Sequence, residues 1–325
     1  MCLVKIENRL LRKNTLSKME EKIYEKLYNI SSVSTPFHNL IFLRVLEKTR
    51  KNLLLKFLVL YANNEVIGMM PYFSHKYLLN FSMNSLPYGC YGGFLYQSKD
   101  KENIQKYLEN NKFIALLSIL NSYEDPIYND LKYFQRIKYS TWIIDMNSSY
   151  DNIFKNLHAK TRNQIRKSVK SNIMIRDIER EEDVYEILEI YRQLIQKHKI
   201  KNPYSNEIFY ELFLSSLQDN NIIFKVAEYE NKIIAYSIFF RNKNQIFYWM
   251  NASNLFYSKL NATNGILNTI LLLASNDKDI KELNLGAIPY GNSGLYHFKN
   301  RWNAMEKKYY SYHSLVYYFI KRFRR

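Results

Sequence analysis

Ile222 to Tyr229 (IIFKVAEY), Ile233 to Arg241 (IIAYSIFFR) and Gln245 to Ala252 (QIFYWMNA) are three β-rich runs separated only by Glu230-Asn231-Lys232 and Asn242-Lys243-Asn244. Such runs joined by short polar segments predict an antiparallel meander. Downstream, the pattern predicts a helix over Thr263 to Ser275, a strand over Lys281 to Leu285 and a loop from Gly286 to Gly294. A short helix through Trp302 and a strand from Lys307 to His313 follow. Upstream, one helix is expected from about Tyr150 to Lys170, then a strand at Ile173 to Ile175 and a helix from Glu182 to His198. An Asn202-Pro203 turn leads to another helix, Glu207 to Leu217. This order describes a mixed, mostly antiparallel sheet flanked by helices, with the third meander strand parallel to the strand after the next helix.

The first part of the chain carries similar signals. Ser34-Thr35-Pro36 precedes Phe37 to Lys48, whose apolar residues Phe37, Leu40, Ile41 and Val45 share one helical face. Leu54 to Tyr61 and Val66 to Phe73 flank Asn63-Asn64 and predict a tight hairpin. Leu86 to Gly93 holds three of the eight glycines, which points to a loop with positive φ or close backbone approach. A helix is expected over Ile104 to Ile119 and a strand over Tyr139 to Met146, before a cap at Ser148 or Ser149. The expected boundary follows residue 146, giving units 1–146 and 147–325.

The chain of 325 residues, 47% hydrophobic and 16% aromatic, is long and apolar enough for a sizeable core. Its charge of +17 suits RNA, phosphorylated lipid head groups or an anionic membrane. An AT-rich genome, which favours Lys, Asn, Ile and Tyr, produces the same excess. Cys2 and Cys90 supply neither a disulfide framework nor a zinc site, and no HExxH spacing occurs among the six His, so no metal is expected. Charges interrupt MCLVKIENRLLRKN before a signal-peptide core forms, and no run reaches the roughly 18 apolar residues of a membrane span. The expected location is cytoplasmic or peripheral at the inner face of the membrane.

Lys160-Thr161-Arg162-Asn163-Gln164-Ile165-Arg166-Lys167 resembles the "R-x-x-I-R-x-A" helix of FemAB-like proteins. Leu283-Asn284-Leu285-Gly286 and Gly294-Leu295-Tyr296-His297-Phe298-Lys299 resemble that family's "f-D-L-G" strand and "G-L-Y-x-F-K" helix. The hairpin at Ile67-Gly68 to Pro71 and the Tyr91-Gly92-Gly93 loop are similar to the family's first half. The resemblance covers roughly residues 34–313. It implies two tandem GNAT-like α/β (α+β) halves of the FemAB-like or BioF2-like branch. It also implies an N-acyltransferase whose splayed parallel strands hold the amide arm of an acyl carrier.

Acyl-CoA, such as acetyl-CoA, is the donor the resemblance implies, and an amino group of a cell-envelope sugar or peptide precursor, small or lipid-linked, is the acceptor. One departure weakens CoA use. The Gly-rich diphosphate loop of ordinary GNAT enzymes is replaced by Ser258-Lys259-Leu260-Asn261-Ala262-Thr263-Asn264-Gly265, with a single glycine. Family members that use aminoacyl-tRNA lack the same signature, so the resemblance implies, as the alternative, aminoacyl transfer from tRNA to a peptidoglycan precursor; a non-catalytic RNA- or membrane-binding module is the third reading.

Lys299, in the short helix beside the splayed strands, is the candidate catalytic or phosphate-holding cation. Arg162, Arg166 and Lys170 form an i, i+4, i+8 basic row suited to a diphosphate, or simply a solvated face. Asn264 and Gly265, at a helix start, are candidate phosphate contacts. Tyr296 is a candidate for the acceptor cleft. His198, His297, Glu228 and Asp145 are possible general bases, none distinguished by its surroundings, and Cys90 reads as an inert thiol. The tail from Leu315 to Arg325, aromatic and apolar and then basic, is either a packed element or an interfacial membrane anchor.

Overall fold

The computed structural model describes residues 8–77, 82–110, 117–123, 125–128, 131, 134–199, 202–288 and 292–323. The regular elements begin with β1 (Asn8–Lys13), α1 (Lys18–Ile30), α2 (Leu40–Thr49), β2 (Leu53–Ala62) and β3 (Glu65–His75). They continue with β4 (Ser82–Asn84), β5 (Leu95–Tyr96), α3 (Lys101–Asn110), β6 (Leu117–Ser122) and β7 (Phe134–Asp145). Next come α4 (Tyr150–Asn156), α5 (Ala159–Lys170), β8 (Met174–Asp177), α6 (Glu181–His198) and α7 (Asn206–Ser216). The meander is β9 (Ile222–Tyr229), β10 (Lys232–Arg241) and β11 (Gln245–Ser253). The chain ends with α8 (Ala262–Ser275), β12 (Glu282–Ala287), α9 (Ser293–Arg301), β13 (Met305–Ser314) and α10 (Leu315–Phe323).

These elements form two compact units, residues 1–139 with 308–325, and residues 140–307. The first has strand order β1-β2-β3-β4-β6-β13, with β5 paired to β3, and the second β8-β9-β10-β11-β12-β7. Each sheet places an antiparallel run before one parallel pair, β4 with β6 or β11 with β12, and closes with one more antiparallel strand. The mixed α/β class and its mostly antiparallel pairing agree with the sequence expectation. The single boundary at 146/147 does not describe the grouping. Tyr310 to His313 pair with Ser122 back to Ile119, so the C-terminal strand completes the first unit's sheet.

Local chemistry explains the strongest elements. Asn63 and Asn64, with φ of 50° and 66°, make the two-residue turn between β2 and β3, where left-handed residues match the twist of the strands. At the start of α1, Ser17 Oγ accepts from Glu20 N, and the Glu20 carboxylate accepts from Ser17 N at 3.0 Å. This is a capping box. Ile165, Ile234, Phe239, Ile266, Leu283 and Trp302 lie in one core cluster of the second unit.

Two expectations are corrected, and two elements are added. The helix expected over Ile104 to Ile119 ends at Asn110, and 117–122 is a strand; short apolar runs do not separate the two by periodicity. Residues 111–116 lie outside the described residues. The helix expected from Tyr150 to Lys170 is broken: Leu157 is extended, and the His158 side chain caps α5 by accepting from Lys160 N at 3.1 Å. Elements β1 and α1 were not anticipated.

Candidate functional site

In the second unit, β11 and β12 are in parallel register only from Gln245↔Glu282 to Phe247↔Asn284. Beyond that point β11 runs on to Ser253 with no further pairing to β12 among the described residues. The facing strand edges there offer backbone N–H and C=O groups to a ligand, which is what an amide-bearing arm requires.

Lys299 stands at this opening and is buried. Its Nζ donates to Gly286 O at 2.7 Å and to Ala287 O at 2.8 Å, joining α9 to the end of β12. Burial pulls its ammonium down to about 7. Two of three donors are engaged, so the amine can offer one more proton or, deprotonated, a lone pair. Sequence reasoning missed its neighbour Asn284. The Asn284 Oδ1 accepts from Gly286 N at 2.8 Å and from Thr141 Oγ1 at 2.6 Å. Its Nδ2 is buried without a partner. These bonds hold the turn where Gly286 adopts φ of 80°. A polar Asn between Leu283 and Leu285 was the available signal.

The other candidates divide among different tasks. Arg162 donates to Lys155 O at 2.9 Å and also to Leu157 O, satisfying carbonyls at the end of α4. Arg166 is exposed and lies 5.7 Å from the Phe154 ring centroid. Gly265 belongs to the packing of α8 on α5, since a Cβ there would meet Ser168. The N–H groups of Asn264 and Gly265 are already directed at Asn261 O, at 3.0 and 3.2 Å. The first-turn donors of α8 are therefore Ala262 and Thr263, so α8 fits a phosphate through two N–H groups rather than a glycine cradle.

Tyr296 is 47% exposed, edge-on to Trp142 at 5.4 Å, on the same helix as Lys299. Of the possible bases, His198 and His297 are exposed, whereas Glu228 is held by Arg176 at 2.8 Å. Asp145 lines a recess of about 360 Å³ with Lys281 and Glu282 at the start of β12, away from the opening. Cys90 is buried, which pushes its thiol well up and leaves it inert. Among the described residues no three His, Cys, Asp or Glu side chains cluster as metal ligands, and no helix is long and apolar enough to cross a membrane.

Residues 155–300 match the family model for an acetyltransferase (GNAT) domain. No curated protein matches the chain. Among solved structures, FemX is similar with a TM-score of 0.68 and 11% identity, covering 93% of this chain and 96% of that one. The C-terminal domain (DUF2156) of a putative lysylphosphatidylglycerol synthetase from Agrobacterium fabrum gives 0.58 and 10%, covering 92% of each chain. A tandem GNAT protein from the clavulanic acid biosynthesis pathway gives 0.52 and 7%, covering 94% and 98%. At these identities the likeness is one of fold. It is consistent with the FemAB-like branch and with a GNAT plan occurring twice.

Proposed function

We propose that this chain, an acyltransferase with a GNAT acetyltransferase domain over residues 155–300, moves an acyl group from acyl-CoA to an amino group of a cell-envelope sugar or peptide precursor. The separation of β11 from β12 beyond Phe247 and Asn284 carries this reading. The acceptor nitrogen bonds to the acyl carbon, the carrier's sulfur leaves, and the nitrogen gives up a proton. Lys299 is the group we assign to that proton or to the developing negative charge, because burial poises its amine near 7 beside the opening.

Aminoacyl-tRNA is the second donor reading. It is favoured by the spent N–H groups of Asn264 and Gly265 and by the fold shared with FemX and with a protein named for an aminoacylated lipid. A cytoplasmic location, with the tail helix α10 against the inner membrane face, accompanies either donor. Its Leu315, Val316, Phe319 and Ile320 are exposed, an i, i+1, i+4, i+5 stripe.

Thermal stability of the purified protein with acetyl-CoA, longer acyl-CoAs and aminoacyl-tRNA tests the donor. A ligand at 100 times its Kd adds ~2.7 kcal/mol to the folded state. A rise with a CoA ester supports the leading reading; a rise only with charged tRNA replaces it with the second. Stabilisation by neither, with salt-sensitive RNA or vesicle binding, leaves a binding module without chemistry.

A further inference from the structure

The end of the second unit's sheet where β11 and β12 separate also gathers other chain segments. Ala235 pairs with Ser253, Lys232 with Tyr229, and Met174 with Glu228. The end of β11, the start of β10, the end of β9 and the start of β8 are therefore neighbours. The short helical turn 255–260 leaves β11 there, and the Tyr257 ring meets Tyr229 at 6.0 Å. The α5 helix ends there too, just before β8, with Ser168 against Gly265 and Ile175 close by.

This rim exposes large apolar side chains. Phe256 is 90% exposed, Val169 71%, Met174 52% and Leu255 43%. Lys167, Lys170, Lys232 and Lys259 are exposed among them, against the exposed carboxylate of Glu230. Leaving an unpartnered Phe and three aliphatic side chains in water is unfavourable, and a ring of Lys around them matches an anionic surface. Val169, Met174 and Leu255 offer no stacking face to a base, so the chemistry suits acyl chains beneath phosphate head groups better than nucleic acid.

We infer that this rim docks the second unit on an anionic lipid bilayer, with Leu255 and Phe256 entering the head-group boundary and the four Lys meeting lipid phosphates. The opening beside Lys299 then faces the membrane. If the acyl-transfer reading holds, on which this consequence rests, the acceptor amine is carried by a membrane-borne amphiphile.

The test is partition of the full chain onto vesicles of phosphatidylglycerol and phosphatidylcholine, with neither donor nor acceptor present, so its result is independent of the transfer reading. Binding is expected to require phosphatidylglycerol and to weaken with salt. The double variants Leu255→Ser with Phe256→Ser, and Lys167→Glu with Lys170→Glu, are each expected to lose tenfold or more in partition while keeping the wild-type Tm. Absence of wild-type binding, or unchanged partition in both variants, overturns the inference. So does loss in Phe319→Ser of α10 with retention in the rim variants, which assigns the contact to the tail. Loss of tRNA binding without loss of vesicle binding makes the rim a nucleic-acid surface instead.

Discussion

A Cβ added to Gly265 in α8 would stand 2.2 Å from Ser168 Oγ in α5 and 3.1 Å from Ile175 Cδ1. Ser168 Oγ is itself buried without a hydrogen-bond partner. Alanine is favoured over glycine in a helix by about 1 kcal/mol, but this contact opposes it. Gly265→Ala is expected to lower unfolding stability by ~1–2 kcal/mol. Ser168→Ala, which removes an orphaned hydroxyl, should be neutral or stabilising by up to ~1 kcal/mol. In the double variant the Gly265→Ala cost should largely vanish, as measured by denaturant titration. A phosphate role for Gly265 would instead weaken donor binding in both backgrounds.

Lys299 makes a pH-dependent contribution whose sign is fixed by its burial. Its amine falls from 10.5 to about 7 in the folded chain. Between those values the unfolded chain binds more protons, so stability from this group rises as pH increases. The cost of a buried ammonium is fully present below pH 7. The stability of wild type relative to Lys299→Met should therefore improve from pH 6 to pH 9, in urea titrations at each pH. In transfer assays the same variant should lower kcat by 10²-fold or more if Lys299 handles the proton. An unchanged kcat would leave it only the task of holding Gly286 and Ala287.

The meander was legible because each strand is a long β-rich run and each turn a compact polar segment, and β9, β10 and β11 lie where that pattern puts them. Lys299 was legible through its motif, but its carbonyl partners were not. They belong to the end of β12, 13 and 12 residues earlier in the sequence. Arg162 shows the opposite case. Its spacing with Arg166 suggested a diphosphate, whereas the break at Leu157 placed free carbonyls within its reach. That break depends on packing rather than periodicity. The grouping of β13 with the first unit was equally hidden, because strand pairing over nearly 190 residues leaves no local trace.

His38 ties two segments of the first unit together. Thr35 N donates to its Nδ1 at 3.1 Å, its Nε2 donates to Gly93 O at 3.2 Å, and Thr35 Oγ1 donates to Tyr91 O. Burial brings the imidazole down to about 4, outweighing the bonds to Gly93 and Thr35. The unfolded chain thus binds the extra proton between pH 6.5 and 4, and stability is lost as pH falls through that window. The loss should approach roughly 3 kcal/mol for this group. His38→Asn should be less stable at pH 7 and flatter over the same range, which paired denaturation curves at pH 7 and 4.5 would show. Equal slopes would mean that another group governs the acid limb.

The α10 helix joins a packed side to an exposed one. Tyr317 meets His313 edge-on at 5.2 Å, while Leu315, Val316, Phe319 and Ile320 are exposed. The sequence then places Lys321 and Arg322 in the last turn. Deleting 315–325 would also remove Tyr317 and its packing, so point changes separate docking from folding. Phe319→Ser with Ile320→Ser is expected to leave Tm within about 2 °C, because exposed positions contribute little to the core. If the tail contacts the membrane, that variant should reduce partition onto phosphatidylglycerol vesicles by about a hundredfold or more, since each of the two buried apolar side chains contributes ~1.5–3 kcal/mol. Tyr317→Ala should instead lower Tm, because it opens the contact with His313. Unchanged partition in the first variant would remove the tail from any membrane contact and leave its apolar stripe to a protein partner.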